Sequence, residues 1–412
     1  MPVIAMRNIK ILLILFVLCI AVSCSNSKEI NVEISKYPDG KDFAFTIIDD
    51  PDYGILEEKF IVYDYLDKLG FKTTIPVWVL DNKHGTGEKG VLSNTRGITT
   101  TNKTYLKYMQ TLQKKGFEIC LHTAGPGNDL REETIEGYEL FKKHFGHYPN
   151  ININHANNLE NIYWGGNRFS NKILRFVYKL MTTDFQGEKE DSKYFWGDIC
   201  KEKTKYVRNW ATDNINTIAT NKHMPYHMPD KPYVNYWFDC SDGYNYNKFM
   251  RLISDRNIKR LISDKGTSII YTHFAYGFVD RPTHTLKRDF QEQLTKISRL
   301  NGWFAPASTI LDRLLLLKNV KMIKDGANIV IINNNSEPIQ GLTVLTDQKR
   351  LYVYNKDEWV DASGDGKIIL RTLQPFSLLK IGISKTLEMD NSPTTVEQIG
   401  MVWNWFVGRF NK

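Results

Sequence analysis

From about residue 42 the chain alternates between short apolar runs and longer stretches in which apolar residues recur every three or four positions. The runs DFAFTIIDD (42–50), FKTTIPVWVL (71–80), FEICLHT (117–123) and NININHA (150–156) predict strands. Between them, 55–70, 104–116 and 131–146 carry helical spacing, and Gly70 and Gly116 stand where helices end. After a less regular middle the alternation resumes. A helix is expected over 246–266, a strand over 267–274, a helix over 286–302, a strand over 303–308 and a helix over 309–320. Short strands alternating with longer helices predict βα units and a mainly parallel sheet. The chain has neither a GxGxxG nor a GxxxxGK[ST] phosphate loop, which favours a (β/α) barrel over a nucleotide-binding sheet.

The pattern changes near residue 321. Residues 321–385 are short β-rich runs between Asn, Gly and Asp turns, which predicts a small all-β, sandwich-like domain. The tail 386–412 reads as an amphipathic helix, expected to pack on a domain or lie on a membrane. The expected organisation is a signal segment at 1–23, a tether at 24–41, a barrel at 42–320, the β-domain and the tail helix. The signal reading rests on Arg7 and Lys10, the apolar run ILLILFVLCIAVSC (11–24) and the polar SNSKEI that follows. Ala21-Val22-Ser23-Cys24 resembles a bacterial lipobox, which implies lipidation of Cys24 and a chain tethered to a membrane of the cell envelope, facing periplasm or exterior.

Composition narrows the choice of chemistry. The 412 residues are 42% hydrophobic and 24% charged, which fits a globular protein. The net charge of +8 is spread along the chain without a basic stripe, so no nucleic-acid partner is expected. Beyond the signal segment the cysteines are Cys120, Cys200 and Cys240, widely spaced and without a CxxC, which excludes a zinc ribbon. Cys120 lies in an apolar strand as a core residue.

Catalytic groups of a parallel barrel come from the C-terminal ends of its strands. Asp49 and Asp50 end the first predicted strand, His122 the third, His155 the next and His273 a late one. In this order they resemble the NodB-type polysaccharide deacetylases, carbohydrate esterases built on a distorted (β/α) barrel. Thr46-Ile47-Ile48-Asp49-Asp50 stands in place of that family's Thr-Phe-Asp-Asp motif, with one extra residue. His122-Thr123 matches the start of the His-Ser/Thr-x-x-His motif, with Pro126 at the position of its second His. Ile269-Ile270-Tyr271-Thr272-His273 matches the late motif. The resemblance covers roughly residues 40–317.

What the resemblance implies is a divalent metal ion, zinc or similar, with Asp49 as general base, Asp50 and His122 as ligands and His273 as general acid. A further ligand is expected from Asp129 or His155, with Asp52 another possibility and Asp129 also placed to cap a helix. The implied reaction removes acetyl groups from a glycan. A metal lowers the pKa of water and polarises the carbonyl, a carboxylate accepts a proton and an imidazole returns one. Asn157, Asn158, Trp164 and Arg208 are expected to contact substrate, with Arg208 alternatively orienting the base or pairing with Asp213. His223 and His227 lie four apart among prolines, which disfavours a helical metal pair. Two other classes stay open: a glycoside hydrolase, and a degenerate barrel that binds glycan without turnover.

Overall fold

The computed structural model describes residues 31–382, apart from 91–96, 326–327, 349, 356–357 and 363–365, together with residue 401. The signal segment, Cys24 and the expected tail helix except residue 401 lie outside the described residues. The described part forms two compact units, one of residues 36–318 and one in which residues up to 35 join those from 319 onward.

In the second of these units β1 (Val32–Ile34) pairs antiparallel with a strand more than 300 residues later, so the stretch expected to be a tether holds part of the β-domain. In the larger unit the strands are β2 (Phe43–Asp49), β3 (Thr74–Val77), β4 (Glu118–Leu121), β5 (Ile151–Asn152), β6 (Tyr206–Thr212), β7 (Tyr236–Asp242) and β8 (Thr267–Thr272). They pair in parallel in chain order, and β8 pairs back onto β2, closing a seven-stranded barrel. A short hairpin, β9 (Val279–Asp280) and β10 (Thr285–Leu286), follows. Then β11 (Gly302–Trp303) lies parallel to the start of β2 at Phe43 and Ala44. The strand predicted at 303–308 is thus two residues long and centred earlier, because Pro306 leads directly into the helix Ala307–Lys318.

Helices α1 (Leu56–Lys68), α2 (Lys103–Lys114) and α3 (Arg131–Phe145) follow the first three barrel strands. Asn102 caps α2 by accepting from the amides of Thr104 and Tyr105, and α3 ends on Gly146 in the left-handed conformation (φ 85°). The single helix expected over 246–266 is two, Tyr246–Leu252 and Asp255–Ser263. Ser254 has extended ψ (151°) at the break, as a residue preceding a new helix does.

Every residue of β2 is buried, as a parallel strand covered on both faces requires. Its side chains alternate. Phe43, Phe45 and Ile47 join the outer cluster with Val62, Tyr63 and Leu66 of α1. Ala44 and Ile48 join the inner cluster with Cys120, Ile151, Phe238, Cys240 and Ile269. Parity therefore sends odd-numbered residues of β2 toward the helices and even-numbered ones into the barrel. The three described cysteines are buried and free, and Cys120 is the core residue its strand predicts.

The other unit is all-β. β12 (Val320–Asp325), β13 (Asn328–Asn333), β15 (Tyr352–Asn355), β16 (Glu358–Asp361) and β18 (Leu378–Gly382) form one sheet, in the order β12-β13-β18-β15-β16. β14 (Ile339–Thr346) and β17 (Lys367–Leu373) form the second with β1. All pairings are antiparallel, and buried Ile329, Ile331, Leu342 and Val344 supply the apolar positions of β13 and β14. Among the described residues no helix is long and apolar enough to cross a membrane.

Candidate functional site

The C-terminal ends of the barrel strands open onto a cavity of about 410 Å³. Asp50, Asp52, His122, His155, Arg208 and His273 all line it. The strand register brings them together. Asp49 is level with Thr272, and the Asp50 amide donates to the Thr272 carbonyl (2.9 Å), so the first and last motifs meet across the β2–β8 seam. The His122 amide donates to Val77, fixing that residue at the end of β4.

Asp49 does not line the cavity. Its odd parity turns it into the helix layer, where Oδ2 accepts from Lys59 Nζ (2.5 Å) and Tyr63 OH (2.7 Å) and Oδ1 accepts from the Phe274 amide (2.8 Å). Asp49 and Lys59 are each 1% exposed. The expected base is therefore a buried tie between the first strand, α1 and the loop after β8.

Asp50, expected as a metal ligand, points inward onto Arg208. The guanidinium donates Nη1 to Oδ1 (2.8 Å) and Nη2 to Oδ2 (2.6 Å), a bidentate pair on buried groups. Burial alone pushes the Asp50 carboxyl up, but Arg208 and the neighbouring imidazoles outweigh it and hold the pKa below its ordinary value. Arg208 orients this carboxylate; Asp213 is exposed and is not its partner.

The group that three imidazoles surround is Asp52. Its Oδ1 lies 2.8 Å from His155 Nε2, and its Oδ2 lies 3.3 Å from His122 Nε2 and 3.5 Å from His273 Nε2. Burial raises the Asp52 pKa, yet the imidazoles hold it well below the carboxylate range. His122 is pushed down by burial, which its carboxylate neighbours only partly offset. In His273, burial opposes protonation but the hydrogen bond to Asp52 prevails and raises the pKa. Asp52, His122 and His155 offer ligand atoms within 4.8 Å of one another, a group that can hold a metal ion. Tyr53 (φ 56°) and Thr123 (φ 60°), immediately after Asp52 and His122, adopt left-handed backbone, a conformation costing about 1–3 kcal/mol at a non-glycine residue.

The donor set fits a cation for a reason visible at His155. Asn158 gives its amide hydrogens to the Gly127 carbonyl and Glu160 Oε1 (2.7 Å), so its Oδ1, 2.9 Å from His155 Nδ1, must accept. Nδ1 then carries a proton, and Nε2 is the nitrogen that faces Asp52. Two acceptors at 2.8 Å need a proton or a metal ion between them, and a locked outer nitrogen is how a ligating histidine is usually oriented. Trp78 is fully buried and packs against both His122 and His155, with ring centroids 5.6 Å apart in each case.

Asp129 is left out of this group. It accepts from the Gly125 amide (2.6 Å), inside the loop and beside Glu160. Burial pushes Asp129 up to about 7, and burial together with Asp129 raises Glu160 well above its ordinary value. Of the two residues weighed for the further ligand position, His155 is the one that reaches the cluster. Asn157 and Trp164 line the cavity, whereas Asn158 meets His155 from behind. His223 and His227 are exposed and lie outside the cavity. Arg168 and the tyrosines Tyr53, Tyr244, Tyr271 and Tyr276 also line it and were not singled out in the sequence.

Neither protein-family models nor curated proteins match the chain. Solved structures do. A protein from Mycobacterium smegmatis described as a polysaccharide deacetylase shares 13% identity over 70% of this chain and 96% of its own, with a TM-score of 0.39. Puue allantoinase shares 11% over 69% and 93%, at 0.40. A peptidoglycan deacetylase from Bacillus subtilis shares 14% over 68% and 95%, at 0.30. Polysaccharide deacetylases thus stand among the structural neighbours, at low identity.

Proposed function

We propose that the protein is a metal-dependent hydrolase that removes acetyl groups from a polysaccharide or envelope glycan. The observation that carries this reading is the convergence of Asp52, His122 and His155 beside the Arg208-bound Asp50 at the barrel mouth. Asp52, His122 and His155 would hold a divalent cation, which would supply an acidified water and polarisation of the acetyl carbonyl. Asp50, held by the Arg208 fork, is placed to accept a proton from the attacking water. His273 donates Nδ1–H to the Tyr244 carbonyl (2.9 Å), so only Nε2 exchanges a proton with the cavity, and it protonates the leaving amine or alcohol. Relative to the motif resemblance, the roles shift along the chain: Asp50 takes the part expected of Asp49, and Asp52 the part expected of Asp50. The missing second His of the motif is supplied from the next strand by His155.

A glycoside hydrolase needs two carboxyls flanking a bond. The carboxylates lining this cavity, Asp50 and Asp52, leave the same strand end. The test is acetate release from acetylated oligosaccharides, before and after chelation and after adding back zinc, cobalt or manganese. Chelation is expected to abolish release and metal to restore it. New reducing ends in place of acetate, or release indifferent to chelator, would refute the proposal. Asp50→Asn is expected to lower kcat by about a hundredfold, the low end of general-base effects, while bound metal measured by elemental analysis stays at the wild-type level. Loss of metal in that variant would return Asp50 to the ligand set.

A further inference from the structure

Arg168 is the one cavity residue whose charge the protein leaves unanswered among the described residues. It ends the short helical turn Gly165–Arg168, and its guanidinium carbon lies 3.4 Å from the Trp164 ring centroid and 4.7 Å from that of Trp210. Nη2 donates to the Asn209 carbonyl (2.6 Å), while Nε is buried without any hydrogen-bond partner. The cavity's other arginine, Arg208, is neutralised by Asp50, and Asp52 is engaged by three imidazoles. Asp239 lies within electrostatic reach of Arg168, but its oxygens take hydrogen bonds from the Trp210 amide, Tyr226 and Asn221, and it forms no ion pair with Arg168.

Enclosing a guanidinium without a counter-charge is unfavourable, and stacking on two indoles offsets that only in part. Burial, and then the repulsion of Arg208, push the Arg168 pKa down to about 10. The rings also restrict the guanidinium, so little side-chain freedom remains to be lost when it takes an anion. We propose that Arg168 is a specificity residue that binds an anionic group of the glycan, a carboxylate or a sulfate or phosphate ester, close to the acetyl group being removed. This rests on the deacetylase reading for the word glycan, and on the cavity alone for the anion.

The test compares acetylated oligosaccharides of one length in three forms: neutral, uronic-acid-containing and sulfated. Full-length protein is expected to prefer an anionic form over the neutral one by about 10- to 100-fold in kcat/KM, the range for a hydrogen bond to a charged group. Whichever anionic arm wins identifies the carboxylate or the ester. Arg168→Gln is expected to bring the ratio near one, and Arg168→Lys, which keeps the charge and loses the fork, to an intermediate value. Equal rates on neutral and anionic forms in the wild type would overturn the proposal, as would a preference that survives Arg168→Gln. Should Arg168→Gln fail to fold, the wild-type ratio and Arg168→Lys decide. If no form is turned over, the deacetylase reading fails separately. Equilibrium binding of the same three compounds then reads the charge preference, and its absence overturns the role of Arg168.

Discussion

Asp52→Ala is expected to lose its divalent metal and about 10³-fold in kcat/KM for acetate release, since a catalytic cation contributes several kcal/mol at the transition state. Asp52 is the carboxylate on which the three imidazoles converge, with oxygens 2.8, 3.3 and 3.5 Å from His155, His122 and His273. Without it two imidazoles remain, and two nitrogens hold zinc or its relatives poorly where three or four donors are the norm. The loss should appear in metal content and activity together, in a variant that still folds. A folded Asp52→Ala protein that retains a full equivalent of metal would remove Asp52 from the site.

The opposite signature is expected at the neighbouring acid. Lys59→Met strips the ammonium from Asp49, leaving a carboxylate that is 1% exposed with only Tyr63 and the Phe274 amide as donors. Breaking one side of a buried ion pair costs about 3–5 kcal/mol. For a unit of this size that is a fall of roughly 6–20 °C in melting temperature. Replacing both residues, as in Lys59→Met with Asp49→Leu, is expected to recover much of the loss, because no buried charge is then left alone. Metal bound per folded molecule should stay unchanged in both. Thermal denaturation and elemental analysis of the same preparations separate the outcomes. Were Lys59→Met to melt with the wild type while losing metal, Asp49 would belong to the catalytic group after all.

These two results would distinguish adjacent acids that look alike in the sequence. FAFTIIDDPDYG shows a strand ending on Asp49, Asp50 and Asp52, but their roles depend on facing. The parity of β2 was legible in principle: Ala44, Thr46 and Ile48 share a face with Asp50, and Phe43, Phe45 and Ile47 share one with Asp49. An all-apolar parallel strand hides that parity, because both faces are buried and both read as hydrophobic. On the proposed reading, the base and the acidic ligand stand one and two positions later than the motif resemblance implies, and the extra residue in Thr46–Asp50 accounts for the first of these shifts.

The sequence by itself determined the βα alternation, the barrel, the separate β-rich region and four of the strand ends that meet at the cavity. Those follow from hydrophobic periodicity and from cap and turn residues, which act within a few positions along the chain. Only the tertiary structure decided what lies between distant segments. It placed Arg208 on Asp50 across 158 residues, His155 on Asp52 across 103, and Val32–Ile34 in a sheet with residues beyond 339. It also showed the Arg168 guanidinium against the rings of Trp164 and Trp210. Long-range pairing arises when the barrel closes, and no local pattern encodes it.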